Sequence, residues 1–313
     1  MKILFFGTAG ISKAFLEELY KKGHKILCVT MPDKPADRGQ KLTPPAVKVF
    51  SIENNMDYIQ PEKFTPEITE KIHQFKADAG IAVAYGKLIP ESVFTLPEHN
   101  TFNIHFSLLP KYRGAAPVQY AVFNGESETG VSSFYLEKTL DTGAVLVQKK
   151  MKIEKDDTSE SMFAKLIPIG LDVMNETLDC FQSGKCEGTV QTGEATYAPT
   201  LKKEDGLIDW KKSAEDVFNL SRGLYPWPGT YSVISKGKLA GKRIKIIKCE
   251  VIENSTVNDD PGKVFDLEKN KGFIVVCAKG KLLVTKVQPE NKPVMDAWSF
   301  IQGGQLAACD YLS

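Results

Sequence analysis

The chain has 313 residues, of which 42% are hydrophobic, 25% charged and 10% aromatic, enough to bury a sizeable core in two domains and incompatible with disorder, a collagen or a small disulfide scaffold. Forty Lys and Arg against 39 Asp and Glu leave a net charge of +1, so global charge gives no argument for a nucleic acid or a membrane as partner. The six cysteines (Cys28, Cys180, Cys186, Cys249, Cys277, Cys309) form no CxxC pair and the four histidines are dispersed, which suggests neither a disulfide framework nor a zinc cluster and fits a reducing compartment.

Lys2 to Phe6 is an apolar run broken by Gly7-Thr8-Ala9-Gly10, after which Phe15, Leu16, Leu19 and Tyr20 recur at helical spacing up to Gly23. This reads as strand, turn and helix rather than a secretory signal, because no small-residue cleavage pattern follows. No window approaches the roughly 18 uninterrupted apolar residues of a membrane span, and the expected location is the cytoplasm. Ile26 to Thr30, Ala79 to Ala84 and Thr101 to Phe106 read as further strands, separated by helical patterns near residues 45–55 and 64–76. Strands alternating with helices predict parallel pairing in a doubly wound α/β domain. Val131 to Leu136 and Ala144 to Met151 flank Asp141-Thr142-Gly143, and Asp157 with Glu160 reads as the capped start of a helix ending at Gly184. The predicted organisation is a first domain over 1–190, a polar connector over 191–206, and a second domain over 207–313. The second is built of short β runs at Thr230–Ile234, Arg243–Val251, Phe273–Cys277 and Lys281–Val287, as in a small barrel.

Open α/β sheets place ligands beyond the carboxyl ends of their strands. There the run from Asn103 to Pro117 stands out, NIHFSLLPKYRGAAP. Asn103 and His105 are two apart on a strand, so both side chains leave one face and can converge on a carbonyl oxygen that gains charge on attack. Taken alone, His105 reads first as a hydrogen-bonded core histidine. Asp141 is a turn former as readily as a functional carboxylate; beside His105 it would raise the imidazole pKa and favour the protonated, donating form. No Ser or Cys stands in a nucleophile setting, which points to direct attack of one substrate on another. Gly7-Thr8-Ala9-Gly10 lacks the third glycine of a dinucleotide loop, and Asp33 lies in Met-Pro-Asp-Lys-Pro rather than at a strand end, which disfavours nicotinamide.

Met31 to Lys48 is long for a strand-to-helix connection and carries Lys34, Arg38, Lys41 and Lys48 among prolines; it is either a functional loop or a solvated, proline-stiffened one. Residues 207–313 hold 16 basic and 12 acidic side chains, net +4, against −3 for the remainder. Lys236, Lys238, Lys242, Arg243, Lys245 and Lys248 crowd together there, a cluster open to phosphate contact or to solvent alone. Cys180 and Cys186 read as bystanders.

The pattern Asn103-x-His105-x-Ser107-Leu108-Leu109-Pro110-x-x-Arg113-Gly114-x-x-Pro117, with Asp141-Thr142-Gly143 downstream, resembles the signature of the 10-formyltetrahydrofolate-dependent formyltransferases. Pro32-Asp33-Lys34-Pro35, Arg38-Gly39, Lys41-Leu42, Ala84-Tyr85-Gly86, Ile208-Asp209-Trp210 and Tyr225-Pro226-Trp227-Pro228-Gly229 resemble its methionyl-tRNA formyltransferase branch. The resemblance implies a Rossmann-like catalytic domain, an OB-like C-terminal barrel, and transfer of formyl from 10-formyltetrahydrofolate to the α-amine of methionine on initiator tRNA by a monomer without a metal. It gives the catalytic roles to Asn103, His105 and Asp141. Ser107, Leu108, Leu109 and Pro110 with Ala84, Tyr85 and Gly86 would hold folate, and Arg38, Lys41, Lys242 and Arg243 would hold tRNA. Phe106 stands where a small residue is customary, and Ala9 and Ala144 also depart from the pattern. Two alternatives are carried: a formyltransferase acting on an amino-sugar or nucleotide amine, and a non-catalytic RNA-binding protein.

Overall fold

Lys2–Gly7 (β1) opens the chain with Ile3, Leu4, Phe5 and Phe6 all fully buried, and a wholly apolar strand of this kind needs cover on both faces, as in a parallel sheet. The computed structural model describes residues 1–36, 41–236, 238–304 and 306–313. The chain divides into two compact units: Met1–Gly114, Gly130–Met151 and Ala164–Tyr197 in one, Ala115–Thr129, Lys152–Phe163 and Ala198–Ser313 in the other.

In the first unit β1 leads through α1 (Gly10–Lys21) to β2 (Lys25–Val29), and through α2 (Ala46–Glu53) to β3 (Asp57–Ile59). After α3 (Pro66–Phe75), capped by the Thr65 hydroxyl, the chain crosses to the other side of β1 and lays down β4 (Ala79–Val83), β5 (Thr101–His105), β6 (Glu128–Tyr135) and β7 (Val145–Lys152). The sheet order is β7-β6-β5-β4-β1-β2-β3. Pairing is parallel from β3 to β5, and β6 runs antiparallel to β5 with His105 opposite Ser132. The doubly wound reading holds, with an antiparallel margin. The reversal of strand order falls between β1 and β4, so the crevice for a ligand opens at their carboxyl ends. Each fully buried Phe, Leu or Ile here contributes about 1.5–3 kcal/mol relative to exposure.

Three local outcomes differ from the sequence reading. Lys34–Ala36 and Lys41–Thr43 pair antiparallel within the proline-rich connection, as a short edge that tolerates Pro35. The long helix spans Ser159–Ser183 (α4), and its reciprocal cap is made by Thr158 and Ser161; Asp157 supports that cap by accepting from the Ser161 hydroxyl at 2.7 Å and holds the preceding turn through the Glu154 N–H. Cys180 and Cys186, taken as bystanders, are joined by a disulfide at the end of that helix.

The second unit is a curled antiparallel sheet. After the helix α5 (Ala214–Gly223), opened by a Ser213–Asp216 capping box, come β8 (Thr230–Lys236), β9 (Arg243–Glu253), β10 (Val264–Glu268), β11 (Gly272–Val276), β12 (Lys281–Pro289), β13 (Met295–Asp296) and β14 (Tyr311–Leu312). The order is β10-β11-β12-β9-β8-β14, with β13 on β12, and a bridge from Tyr311 to Lys263 at the foot of β10 brings the last strand toward the first. Phe273, Val275, Leu282, Val284 and Val287 fill the interior of this half-barrel with Trp210 and Phe300.

Candidate active site

Strand β5 presents Asn103 and His105 on one face, while Phe102 and Ile104 enter the core on the other. Phe106 continues that opposite face and meets Phe15 of α1 edge-on, ring centroids 6.2 Å apart. The bulky residue in the signature therefore packs behind the strand and leaves the Asn103 face unobstructed. Asn103 is half-buried and its amide has no hydrogen-bond partner among the described residues. His105 is 5% exposed, with Phe134 edge-on at 6.2 Å.

The segment after β5 folds back through its own side chains. The Ser107 hydroxyl donates to the Lys111 carbonyl at 2.6 Å, and the Ser132 hydroxyl donates to the Ser107 carbonyl at 2.6 Å. Gln148 donates to the Leu109 carbonyl and to the Ser132 hydroxyl at 3.2 and 2.9 Å, and the Leu109–Pro110 peptide is cis. This returns the chain so that the Tyr112 carbonyl lies 2.8 Å from His105 Nε2. A carbonyl only accepts, so Nε2 carries the proton and Nδ1 of the neutral ring is an open acceptor.

Asp141 occupies the left-handed region at φ 55°, a conformation that costs a non-glycine residue on the order of 1 kcal/mol and persists where the surroundings fix it. Its Oδ2 accepts the Gly114 N–H at 2.7 Å and lies 3.8 Å from His105 Nδ1. That separation is too long for a direct hydrogen bond and short enough for strong Coulombic coupling, since both side chains are under 10% exposed. Gly143 is required by close approach: a Cβ there would stand 1.8 Å from the Tyr135 carbonyl oxygen.

The sequence expectation of a charged imidazole is overturned. Burial pushes the His105 pKa below its ordinary 6.5, outweighing the opposing pull of the Asp141 charge and of the Tyr112 carbonyl. At neutral pH the ring is thus neutral, with a lone pair on Nδ1 facing a carboxylate. Two acceptors so close together suit a proton donor placed between them, and a proton taken by Nδ1 would be stabilised by Asp141.

The remaining sequence candidates are placed as follows. Ala84 and Gly86 are exposed with φ 44° and 85°, and present backbone at the end of β4. Tyr85 between them is buried edge-on to Phe6 at 5.6 Å, and burial raises its phenol to about 12. The Thr8 hydroxyl donates to the Tyr85 carbonyl at 2.7 Å and Ser12 to the Val83 carbonyl at 2.6 Å, so Gly7-Thr8-Ala9-Gly10 stitches β1 to β4. Ser107 is fully buried and its hydroxyl is committed to the loop, Leu109 is buried, and Leu108 and Pro110 are half-buried. In the other unit, Lys242 and Arg243 are exposed on the rim of a cavity of about 370 Å³ floored by Ile234, Ile244 and Phe300. Arg38 lies outside the described residues, as does the side chain of Lys41. Gln191, read as the first residue of a connector, was missed: its Nε2 donates to the carbonyls of Asp141 and Gly143 at 2.9 and 2.8 Å. Nothing local in the sequence distinguishes it from its polar neighbours. Among the described residues no group of His, Cys, Asp and Glu could hold a metal, and no helix is long and apolar enough to cross a membrane.

Residues 1–178 match the family model for formyl transferases and residues 200–305 the model for the formyl transferase C-terminal domain. A methionyl-tRNA formyltransferase of Endomicrobium trichonymphae is 58% identical over 310 residues, covering 99% of each chain. This chain belongs to the methionyl-tRNA formyltransferase family. A member from Thermodesulfovibrio yellowstonii is 42% identical over 306 residues, 97% of this chain and 96% of the relative. The fold is shared more widely than the family. A sugar 3N-formyltransferase, WlaRD, superposes with a TM-score of 0.65 at 21% identity over 94% of this chain and 99% of that one. HypX from Aquifex aeolicus in complex with tetrahydrofolic acid gives 0.64 at 18% identity over 98% of this chain and 47% of that one.

Proposed function

We propose that the chain transfers the formyl group of 10-formyltetrahydrofolate to the α-amine of methionyl-initiator tRNA. The observation that carries the chemistry is the meeting of the Asn103 face of β5 with the His105–Asp141 pair, in which a neutral imidazole points its open nitrogen at a buried carboxylate. The amine nitrogen attacks the formyl carbon. The carbonyl oxygen takes the electron pair, and the unpartnered Asn103 amide donates to it as charge develops. His105 Nδ1 accepts the proton that the amine gives up, and Asp141 stabilises the imidazolium. On collapse of the tetrahedral intermediate the bond from carbon to folate N10 breaks and the proton passes from Nδ1 to that nitrogen, releasing tetrahydrofolate.

The exposed backbone at Ala84 and Gly86 and the turn Ser107–Pro110 flank the carboxyl end of β5 and are the proposed walls for the folate, Ser107 acting through the shape of the turn. The chemistry is assigned to residues 1–190 and the grip on RNA to 207–313, where Lys242 and Arg243 stand on an exposed basic rim, joined through 191–206. Arg38 and Lys41 complete the proposed tRNA contacts. Incubation of the purified protein with 10-formyltetrahydrofolate and methionine-charged initiator tRNA is expected to yield formylmethionyl-tRNA, with no turnover on free methionine or an amino sugar. Product from the amino sugar alone would move the acceptor, and product from neither would favour the RNA-binding alternative.

A further inference from the structure

The Asp141 loop is held by a residue that the reaction itself does not use. Gln191 saturates its amide: Nε2 gives one hydrogen to the Asp141 carbonyl at 2.9 Å and the other to the Gly143 carbonyl at 2.8 Å. Its Oε1 accepts from Arg113 Nε at 3.2 Å and from Nη2 at 2.7 Å. With two carbonyls on one side and a guanidinium on the other, only this orientation of the amide satisfies all four bonds. Arg113 is fixed in turn, its N–H donating to the Thr196 carbonyl at 2.9 Å. The adjacent Gly114 N–H holds the Asp141 carboxylate at 2.7 Å, and the Tyr112 carbonyl holds His105. Residues 112–114 are therefore a hub. One neighbour sets the imidazole, the other sets the carboxylate, and the arginine between them reaches through Gln191 to the backbone beneath that carboxylate.

We infer that Gln191 is a positioning residue of the transferase, clamping the main chain of Asp141 and Gly143 to Arg113 so that the Asp141 carboxylate stays at its distance from His105. The inference rests on the proposed chemistry for its kinetic consequence, but not for its structural one. Without the clamp, a left-handed Asp141 keeps the Gly114 bond alone, and the carboxylate is free to move away from the ring. Misplacement of a charge by about 1 Å is enough to cost on the order of 10²-fold in rate. Gln191→Glu sharpens the point: it still accepts from Arg113, but it puts an oxygen against two carbonyl oxygens and donates to neither.

The test reads His105 directly and then through catalysis. Nitrogen-15 NMR titration of the substrate-free protein, with His105 assigned by comparison with His105→Gln, gives the ring pKa in the wild type, Gln191→Ala and Gln191→Glu. Among the described residues, Asp141 is the charge acting on this imidazole and Tyr112 its remaining polar partner. Since Asp141 raises the His105 pKa, loosening it moves the pKa further below 6.5, and both variants are expected to titrate lower than wild type. In formylation assays kcat is expected to fall about 10²-fold, with little change in KM for tRNA. Adding either change to Asp141→Asn is expected to cost nothing more, because the clamp acts only through that carboxylate. An unchanged His105 titration in folded variants, or losses that multiply in the double variants, would overturn the inference. If wild-type protein made no formylmethionyl-tRNA, the proposed reaction would fail while the titration still decided the role of Gln191.

Discussion

Asn103 and His105 stand on a strand fixed by backbone ladders on both sides, Gly80 to Ala82 on one and Ser132 to Tyr135 on the other. Asp141, which must meet them, stands on a loop fixed by the Gly114 N–H and the Gln191 amide. The first arrangement survives loss of any one side chain, since ladder bonds belong to the main chain. The second depends on particular side chains and on the absence of one at Gly143. The two kinds of support predict different costs for mutation: chemistry without stability at Asn103 on the strand, geometry before chemistry on the loop.

The largest effect is expected on the strand. Asn103→Ala removes the proposed oxyanion donor and should lower turnover about 10²–10³-fold. Its amide holds nothing among the described residues, so the thermal midpoint should stay at the wild-type value. His105→Ala should lose as much activity, and it also removes the buried hydrogen bond to the Tyr112 carbonyl, a loss of about 0.5–1.5 kcal/mol visible in urea unfolding. Near-normal single-turnover rates in Asn103→Ala would remove the amide from the mechanism.

On the loop, Gly143→Ala is expected to be next in size. The added methyl would overlap the Tyr135 carbonyl oxygen of β6, and this oxygen cannot yield without breaking the strand end, where the Tyr135 N–H donates to the Ala144 carbonyl at 3.0 Å. The loop must shift instead, taking Asp141 with it, for a loss on the order of 10²-fold in kcat. The contrast with Asn103→Ala is that the His105 titration should move as well, in the direction of a weaker Asp141. Full activity in Gly143→Ala would mean that the loop tolerates the shift.

The same division explains how much the sequence disclosed. Period-two spacing put Asn103 and His105 on one strand face, because the alternation of side chains across a sheet is local information. The alternating strands and helices likewise gave the doubly wound sheet, whereas β3 and β10 went unread: Asp57-Tyr58-Ile59 and Val264-Phe265-Asp266-Leu267-Glu268 are short and carry charge where a strand is expected to be apolar. Asp141 looked like a turn former, which it is. What made it a functional carboxylate, the Gly114 N–H and Gln191 amide, lies 27 and 50 residues away in sequence. The charge state of His105 was misread for a related reason. A nearby carboxylate can be inferred from a motif, but the extent of burial that outweighs it is a property of the whole packed unit.

The smallest effect is expected on the half-barrel. Arg243 is exposed, with its guanidinium 4.3 Å from the centroid of the Tyr231 ring, and stacking of this kind holds a cation in place without neutralising it. It thus remains available to a phosphate, and Arg243→Gln should weaken tRNA binding several-fold at low salt. The slope of log affinity against log salt should fall by about one unit if the residue neutralises one phosphate. Because such a contact is made equally in the ground and transition states, kcat at saturating tRNA should not change. That separates this residue from Asn103, Gly143 and Gln191, all of which act on kcat. An unaltered salt slope would assign the Arg243 charge to solvent and move the RNA footprint elsewhere in the basic cluster.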